Sequence, residues 1–449
     1  MNAPLPVHLT RDDAASAYDP VARIGNETAG ALARELTRST QGEVLFSPAD
    51  RGRYATDASI YQQMPVGVFV PRTPEDVHAA LDICRDLGVP IVPRGGGTSQ
   101  CGQTVGAGLV IDHSKHMRRV LQLDAEARTA VVEPGLVLDH LNAQLKTHGL
   151  WYPVDVSTSA QATLGGMAGN NSCGSRSLAY GNMVHNVLGA QAWLADGSLL
   201  DFGAFEQSSG EVRALGEFVR ALALENADEI DARWPKVLRR VAGYNLDIFR
   251  NQSERPYTAD GSVNLAHLLV GSEGTLALTR SLTLRLSELP RAKVLGVVNF
   301  PTFYQAMDSA QHIVRLGQGL SAGQLTAVEL VDRTMIELSL RNPAFEPTIR
   351  TALSPHINGG KPEAVLLVEF SGQSKAEIAP ALRQLVELMG DLNLPGSVVE
   401  MVDDAPQKNL WEVRKAGLNI MMSLRGDGKP VSFIEDCAVP LEHLAEYTD

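Results

Sequence analysis

The chain has 449 residues, too many for one compact core, so two or three domains are expected. Its apolar fraction of 44% and charged fraction of 20% are ordinary for a globular protein. A formal net charge of −13 argues against nucleic acid or an anionic membrane as partner, since both need clustered Lys and Arg. An anionic ligand would have to be caught by local cations against that field. Cys84, Cys101, Cys173 and Cys437 are scattered, with no C-x-x-C among them. That spacing excludes the usual internal iron–sulfur or zinc site and suggests no disulfide framework, so a reducing compartment is the default. Residues 1–10 lack a leader pattern, and no apolar run approaches the roughly 20 residues that span a bilayer. A cytoplasmic protein without a membrane span is expected.

Residues 1–63 read as a polar, mainly helical lead-in, amphipathic near Glu27–Leu36. Gly67–Val70 is a short buried strand. Thr73 caps the helix that follows, with Pro74 at its first position, and Gly88 ends it before a strand at Val89–Val92. Strands are expected at Leu109–Asp112 and Thr129–Glu133, a helix at Leu138–His148, and a strand at Val187–Leu194 that turns at Asp196-Gly197-Ser198 into a partner from Leu199. Helices are predicted across Glu211–Leu224 and Trp234–Arg240, strands at Leu268–Val270 and Leu276–Leu286. Pro290 marks a boundary. Beyond it, Val294–Phe300, Thr302–Arg315 and Ala327–Val331, then Ala364–Phe370, Ala376–Met389 and Ser397–Val402, read as two β-α-β units of a ferredoxin-like α+β layer. A further helix is predicted over Asn409–Met422. Leu441–Tyr447 reads as the first turns of another, without a C-cap before Asp449, as in a truncated chain.

Three segments carry chemistry. Pro93-Arg94-Gly95-Gly96-Gly97-Thr98-Ser99-Gln100-Cys101-Gly102 follows a buried strand directly. Consecutive glycines let successive N–H groups converge on one anion, Thr98 and Ser99 add hydroxyls, and Arg94 either reaches an oxygen or buttresses the turn. This suits a pyrophosphate better than a merely flexible loop, and it is neither the Rossmann nor the Walker pattern. Asp155–Ser159, then Thr163-Leu164-Gly165-Gly166-Met167-Ala168-Gly169-Asn170-Asn171-Ser172-Cys173-Gly174, then Tyr180-Gly181, are too small and polar for a core and suit a groove along an extended polar ligand. Gly271-Ser272-Glu273-Gly274-Thr275-Leu276 alone is only a turn between strands.

In this order and spacing, over Met64–Leu289, the three segments resemble the vanillyl-alcohol-oxidase flavoprotein superfamily. The resemblance implies an α+β fold, with a two-subdomain FAD-binding domain of that (PCMH) type over 64–289 and a ferredoxin-like cap, incomplete at its end, over 290–449. Asn170–Arg176, Val241–Leu246 and Ser432–Pro440 make the chain most similar to the FAD-dependent D-2-hydroxyglutarate and D-lactate dehydrogenases, above all a long form fused to an iron–sulfur region.

By that resemblance, Arg94, Gly95, Gly96, Gly97, Thr98, Ser99 and Gly102 hold the pyrophosphate. Asp155, Ser159, Thr163, Gly165, Gly166, Asn170, Gly174 and Gly181 line the ribityl and isoalloxazine path. Glu273, Gly274 and Thr275 sit beside the flavin. Some relatives attach FAD through a His where Thr98 stands here, so the FAD is expected to be non-covalent. Arg414, in Trp411-Glu412-Val413-Arg414, is expected to grip the substrate carboxylate, against the alternative of a solvated helix-face arginine; Lys415 and Arg425 are weaker candidates. Phe433-Ile434-Glu435 replaces the lysine that smaller relatives carry before the aspartate corresponding to Asp436.

The family's H-x-G-D-G-N-x-H-like motif is not among the 11 histidines, and His185 and His443 read as structural or exposed. The catalytic base, a divalent metal and the iron–sulfur cluster are therefore expected beyond residue 449. The implied reaction is oxidation of a small anionic D-2-hydroxyacid by hydride transfer to flavin N5, with D-lactate or glycolate as alternatives to D-2-hydroxyglutarate. Electrons would pass to an iron–sulfur region, quinone or carrier, which allows a peripheral place at the inner membrane. A non-catalytic flavin-binding or electron-transfer subunit is the rival, the given chain is expected to turn over little, and self-association is left open.

Overall fold

The computed structural model describes residues 24–241, 243–250, 256–422, 426 and 437–449. Strands β1 (Glu43–Leu45), β2 (Gly67–Val70), β3 (Ile91–Arg94) and β4 (Leu109–Asp112) form the first sheet, in the order β1-β2-β4-β3, with β1 antiparallel to β2 and the others parallel. Helix α1 (Asn26–Ser39) packs on this sheet through Leu32 and Leu36. Residues 26–63 are thus part of the first sheet's layer, and a separate helical lead-in is not what forms; three residues of β1 were too short a pattern to read. Helix α2 (Pro74–Leu87) starts where the Thr73 hydroxyl accepts from the Asp76 amide and stops at Gly88 in the left-handed region.

Strands β5 (Val120–Asp124), β6 (Thr129–Val132), β8 (Val187–Trp193), β9 (Leu199–Phe202) and β10 (Leu278–Arg285) form an antiparallel sheet, order β5-β6-β10-β8-β9; the two-residue β7 (Leu150–Trp151) pairs with β11 (Ser287–Glu288). Helices α3 (Leu138–Leu145), α4 (Leu164–Asn170) and α5 (Gly210–Glu225) pack into the core on this sheet. Two expected elements differ here. No helix forms over Trp234–Arg240, where one was expected: the helix lies earlier, at Ala227–Arg233, and Pro235 forces Trp234 into extended backbone. Residues 266–269 are one helical turn rather than a strand, opened by the Asn264 side chain, which accepts from the Ala266 amide.

The third layer is an antiparallel sheet of β12 (Ala292–Phe300), β13 (Gln324–Asp332), β14 (Ala364–Gly372) and β15 (Val398–Met401), order β13-β14-β12-β15. Helices α6 (Phe303–Gln318) and α7 (Lys375–Asp391) are the crossovers of this ferredoxin-like layer, as expected. Alternate residues of β12 and β14 feed two cores: Val294, Val298, Leu366 and Val368 meet α6 and α7, while Leu295, Val297, Val365 and Leu367 meet helix α8 (Asp404–Lys415) and its neighbours. The helix expected over Asn409–Met422 is two: α8 ends at Lys415, and Gly417–Met422 follows. No described helix is long and apolar enough to cross a membrane.

Asn299, fully buried at the end of β12, donates to the carbonyls of Val297, Ala352 and Ser397 and accepts from the Ser354 amide. Asn299→Ala removes these bonds, among them those to the Ala352 carbonyl and the Ser354 amide, in a dry core and is expected to cost about 3 kcal/mol, read by denaturant unfolding.

Candidate functional site: two clefts joined by one glycine-rich segment

The first cleft, about 840 Å³, lies between the two sheets of the first domain and is lined by Arg94 and Gly95, by Thr163–Asn170 residues, and by Ser272, Glu273 and Gly274. The three segments singled out in the sequence converge there. Gly95 and Gly96 run so close to Gln161–Thr163 that a Cβ on either would overlap the Thr163 hydroxyl or the Gln161 carbonyl. Among the described residues, the backbone amides of Gly95, Gly96, Gly97, Thr98 and Ser99 donate to no protein acceptor. Gly95 lines the cleft and the other four continue the turn away from its wall; five consecutive free donors of this kind fit a diphosphate.

Arg94 takes the buttressing role. Its buried guanidinium donates to the carbonyls of Thr104 (3.2 Å) and Thr56 (2.9 Å) and lies over the Tyr54 ring, so it shapes the turn from within the cleft wall. Ser99 bonds to Gln103, whose amide reaches Asn170 at 3.2 Å. Gln103, absent from the sequence reading, is thus the link between the first and second segments. Thr98 is half-buried, and the left-handed Gly102 abuts Tyr61.

The second segment lines the first cleft with a helix, Leu164–Asn170, rather than with extended backbone. Thr163 caps α4, its hydroxyl accepting from the Gly166 amide, while the Gly165 amide donates to the Pro134 carbonyl. Those two amides are therefore spent, and Gly165 and Gly166 serve close packing. Gly174 presses against Asp155 and Gly181 against the His185 ring; neither lines the first cleft. His185 closes a capping box with Asn182, a structural role, and burial lowers its basicity. Thr275 donates to the Ser272 carbonyl and meets the Tyr244 hydroxyl, closing the third turn. Burial raises the Glu273 carboxyl above its usual range, against a hydrogen bond from Gln103.

Asp155 and Ser159 line the second cleft, about 1330 Å³, between this domain and the cap. The segment from Asp155 to Asn170 thus runs from one cleft to the other. Six Lys and Arg side chains and five carboxylates line the second cleft, locally positive in a chain of net charge −13. At its centre Arg176 donates to both oxygens of Glu369 on β14 (2.7 Å each) and to Asp155 (2.6 Å), and its guanidinium stacks 4.9 Å from the Trp411 ring. Burial opposes ionisation of Glu369, but Arg176 and Lys293 outweigh it and hold the carboxyl below its usual range. Burial raises Asp155 despite Arg176, and lowers Lys293 despite Glu369.

Arg414 lines this cleft from α8. Its Nη2 donates to Glu329 of β13 at 2.8 Å, while its Nε, and the indole N–H of Trp411 one turn earlier, are buried without partners. Lys415 donates to Ser159 across the gap at 3.0 Å. Arg425 and Phe433–Asp436 lie outside the described residues. Among those described, no group of three or more His, Cys, Asp or Glu is arranged to hold a metal.

Residues 65–203 match the FAD binding domain model and residues 289–449 that of the FAD linked oxidases, C-terminal domain. The chain is 33% identical over 423 residues to D-2-hydroxyglutarate dehydrogenase of Pantoea ananatis (strain AJ13355), covering 90% of itself and 40% of that protein. It is 30% identical over 417 residues to the "Probable D-lactate dehydrogenase, mitochondrial" of Danio rerio, covering 91% of itself and 69% of the relative. The chain spans about 40% of the length of the D-2-hydroxyglutarate dehydrogenases that it matches. Among solved structures it is similar to an alkyldihydroxyacetonephosphate synthase (TM-score 0.63, 18% identity, 88% of this chain and 64% of that one) and to a 4-ethylphenol oxidase from Gulosibacter chungangensis (0.58, 15%, 88% and 70%). These likenesses fix the fold as the PCMH type.

Glu369→Gln leaves Arg176 underpaired in the domain boundary and is expected to cost about 3–5 kcal/mol of stability at neutral pH. Because the folded pKa of Glu369 is depressed, its contribution is present above the unfolded value of about 4.3 and lost as pH falls through the folded one. The gap between wild type and variant in thermal melts is therefore expected to narrow below pH 4.

Proposed function

Because this chain belongs to the FAD-linked oxidase family, we propose that it holds FAD non-covalently in the first cleft and presents a D-2-hydroxyacid at the second, D-2-hydroxyglutarate before D-lactate or glycolate. The carrying observation is the convergence of three glycine segments on a cleft whose turn leaves five consecutive amides unpaired. Those amides, with the Thr98 and Ser99 hydroxyls, are the groups that would hold the pyrophosphate. Thr98 has no ring nitrogen to bond the flavin covalently. The segment from Thr163 back to Asp155 leads from there to the cap boundary, where the reacting ring belongs. When bound, FAD supplies the hydride acceptor.

The chain's own part is capture and orientation. The unpaired Nε of Arg414 and the unpaired N–H of Trp411 stand one turn apart on α8 and offer two donors to one carboxylate. Lys415, at Ser159, and Lys293, beside Glu369, supply positive charge for a second carboxylate, which favours the dicarboxylate over lactate or glycolate. No histidine lines the second cleft, so no proton acceptor is assigned among the described residues. Onward electron transfer to an iron–sulfur or quinone-type carrier belongs to the same proposal, as do the divalent metal and the base.

The test is titration of the purified chain with FAD, then of the FAD-loaded chain with each hydroxyacid while the flavin absorbance is followed. One FAD per chain is expected, with D-2-hydroxyglutarate binding more tightly than D-lactate. Arg414→Lys, which loses the planar fork, is expected to weaken the hydroxyacid about tenfold or more and leave FAD binding unchanged. A folded chain that stays colourless with excess FAD ends the reading.

A further inference from the structure

The turn from Gly95 to Ser99 carries the free amides, and its two ends are held by different means. At the inner end, Gly95 and Gly96 lie against the Thr163 hydroxyl and the Gln161 carbonyl too closely for a Cβ, and Arg94 buttresses them from within the wall. Contact of that kind leaves the backbone little room to move. The outer end is tied to the second segment through a side chain. Gln103, which lines the first cleft, donates through Nε2 to Oδ1 of Asn170 at 3.2 Å, and Asn170 is the last residue of α4. The other half of the same amide accepts from the Ser99 hydroxyl, and Ser99 Oγ accepts from the Cys101 amide at 3.3 Å. Asn170 in turn donates to the Ser172 hydroxyl at 2.9 Å. One glutamine thus joins the last residue of the cradle to the end of the helix.

That link matters because of what the turn is made of. Consecutive glycines have more backbone conformations open to them than other residues, so their amides converge on one anion for only part of the time unless both ends of the turn are held. A ligand that needs the ordered turn binds in proportion to how often it is formed. One partly exposed hydrogen bond biases such a turn about three- to tenfold. Once a diphosphate is seated, its own oxygens hold the amides together, and the tie adds little to its residence. The bond from Gln103 therefore acts before capture and not after it.

We propose that Gln103 is a positioning residue of the first cleft: by bonding Ser99 and Asn170 at once it keeps the outer half of the turn ready for a diphosphate, and so sets how fast FAD enters rather than how long it stays. The inference rests on the assignment of that cleft to FAD. It is tested by stopped-flow mixing of FAD with the chain, Gln103→Ala, Asn170→Ala and the double variant, following flavin fluorescence, with dissociation read on dilution, ADP titrated separately and each protein melted without ligand. Gln103→Ala is expected to slow association about three- to tenfold and to leave dissociation within about twofold. Asn170→Ala cuts the same tie from the other side and is expected to slow association alike. Adding Gln103→Ala to it is expected to change association by less than about twofold, because the tie is already cut. A purely structural glutamine would lower the melting temperature and leave both rates alone; a direct ligand would speed dissociation and leave association alone. Either result overturns the inference by itself. A wild-type chain that takes up neither FAD nor ADP overturns the cofactor assignment together with it.

Discussion

Arg176 holds the two working halves of the molecule in register. Its guanidinium is shared between Asp155 of the first domain and Glu369 of the cap, and stacked on Trp411. Removing three charges from water is expensive, and the arrangement persists only because every partner is hydrogen-bonded: Glu369 also accepts from the Thr326 hydroxyl. Such a cluster is a poor source of net stability but a strict one of geometry. It sets the position of α8, and α8 carries Trp411, Arg414 and Lys415 to the second cleft.

The first cleft rests on a different device, close approach of backbones without side chains between them. The Gly95–Gly96 turn lies against Gln161–Thr163, Gly165 against Pro134, and Gly274 against Pro93. Each contact replaces a side chain with a neighbouring strand or turn, so three segments distant in sequence share one wall. In the proposed reading, the donors that this packing leaves unpaired form the binding surface.

Much of this was legible in the sequence, for physical reasons. Caps and stops such as Thr73 and Gly88 are local signals, and the glycine segments announced a backbone-lined cleft. The alternation in β12 and β14 was masked because the cap sheet is covered on both faces, so its strands read as continuous apolar runs. Short elements were the ones misread. Residues 266–269 have an apolar pattern that fits strand or helix equally, and a side-chain cap from Asn264 decided it. Arg176 and Gln103 could not be found by pattern, since their partners lie across domains or segments. Glu369 could have been: it is a lone carboxylate within an apolar strand, which signals a buried cation opposite.

Glu329 would have a consequence for how long a ligand stays under the proposed role of Arg414. By taking Nη2 of the guanidinium, it would leave an incoming carboxylate the Nε side only. The arginine would be kept ordered between visits, so little entropy would be lost on capture, yet a visitor would not receive the whole fork. Residence would thereby be shortened without blurring orientation, a balance suited to repeated exchange of small anions.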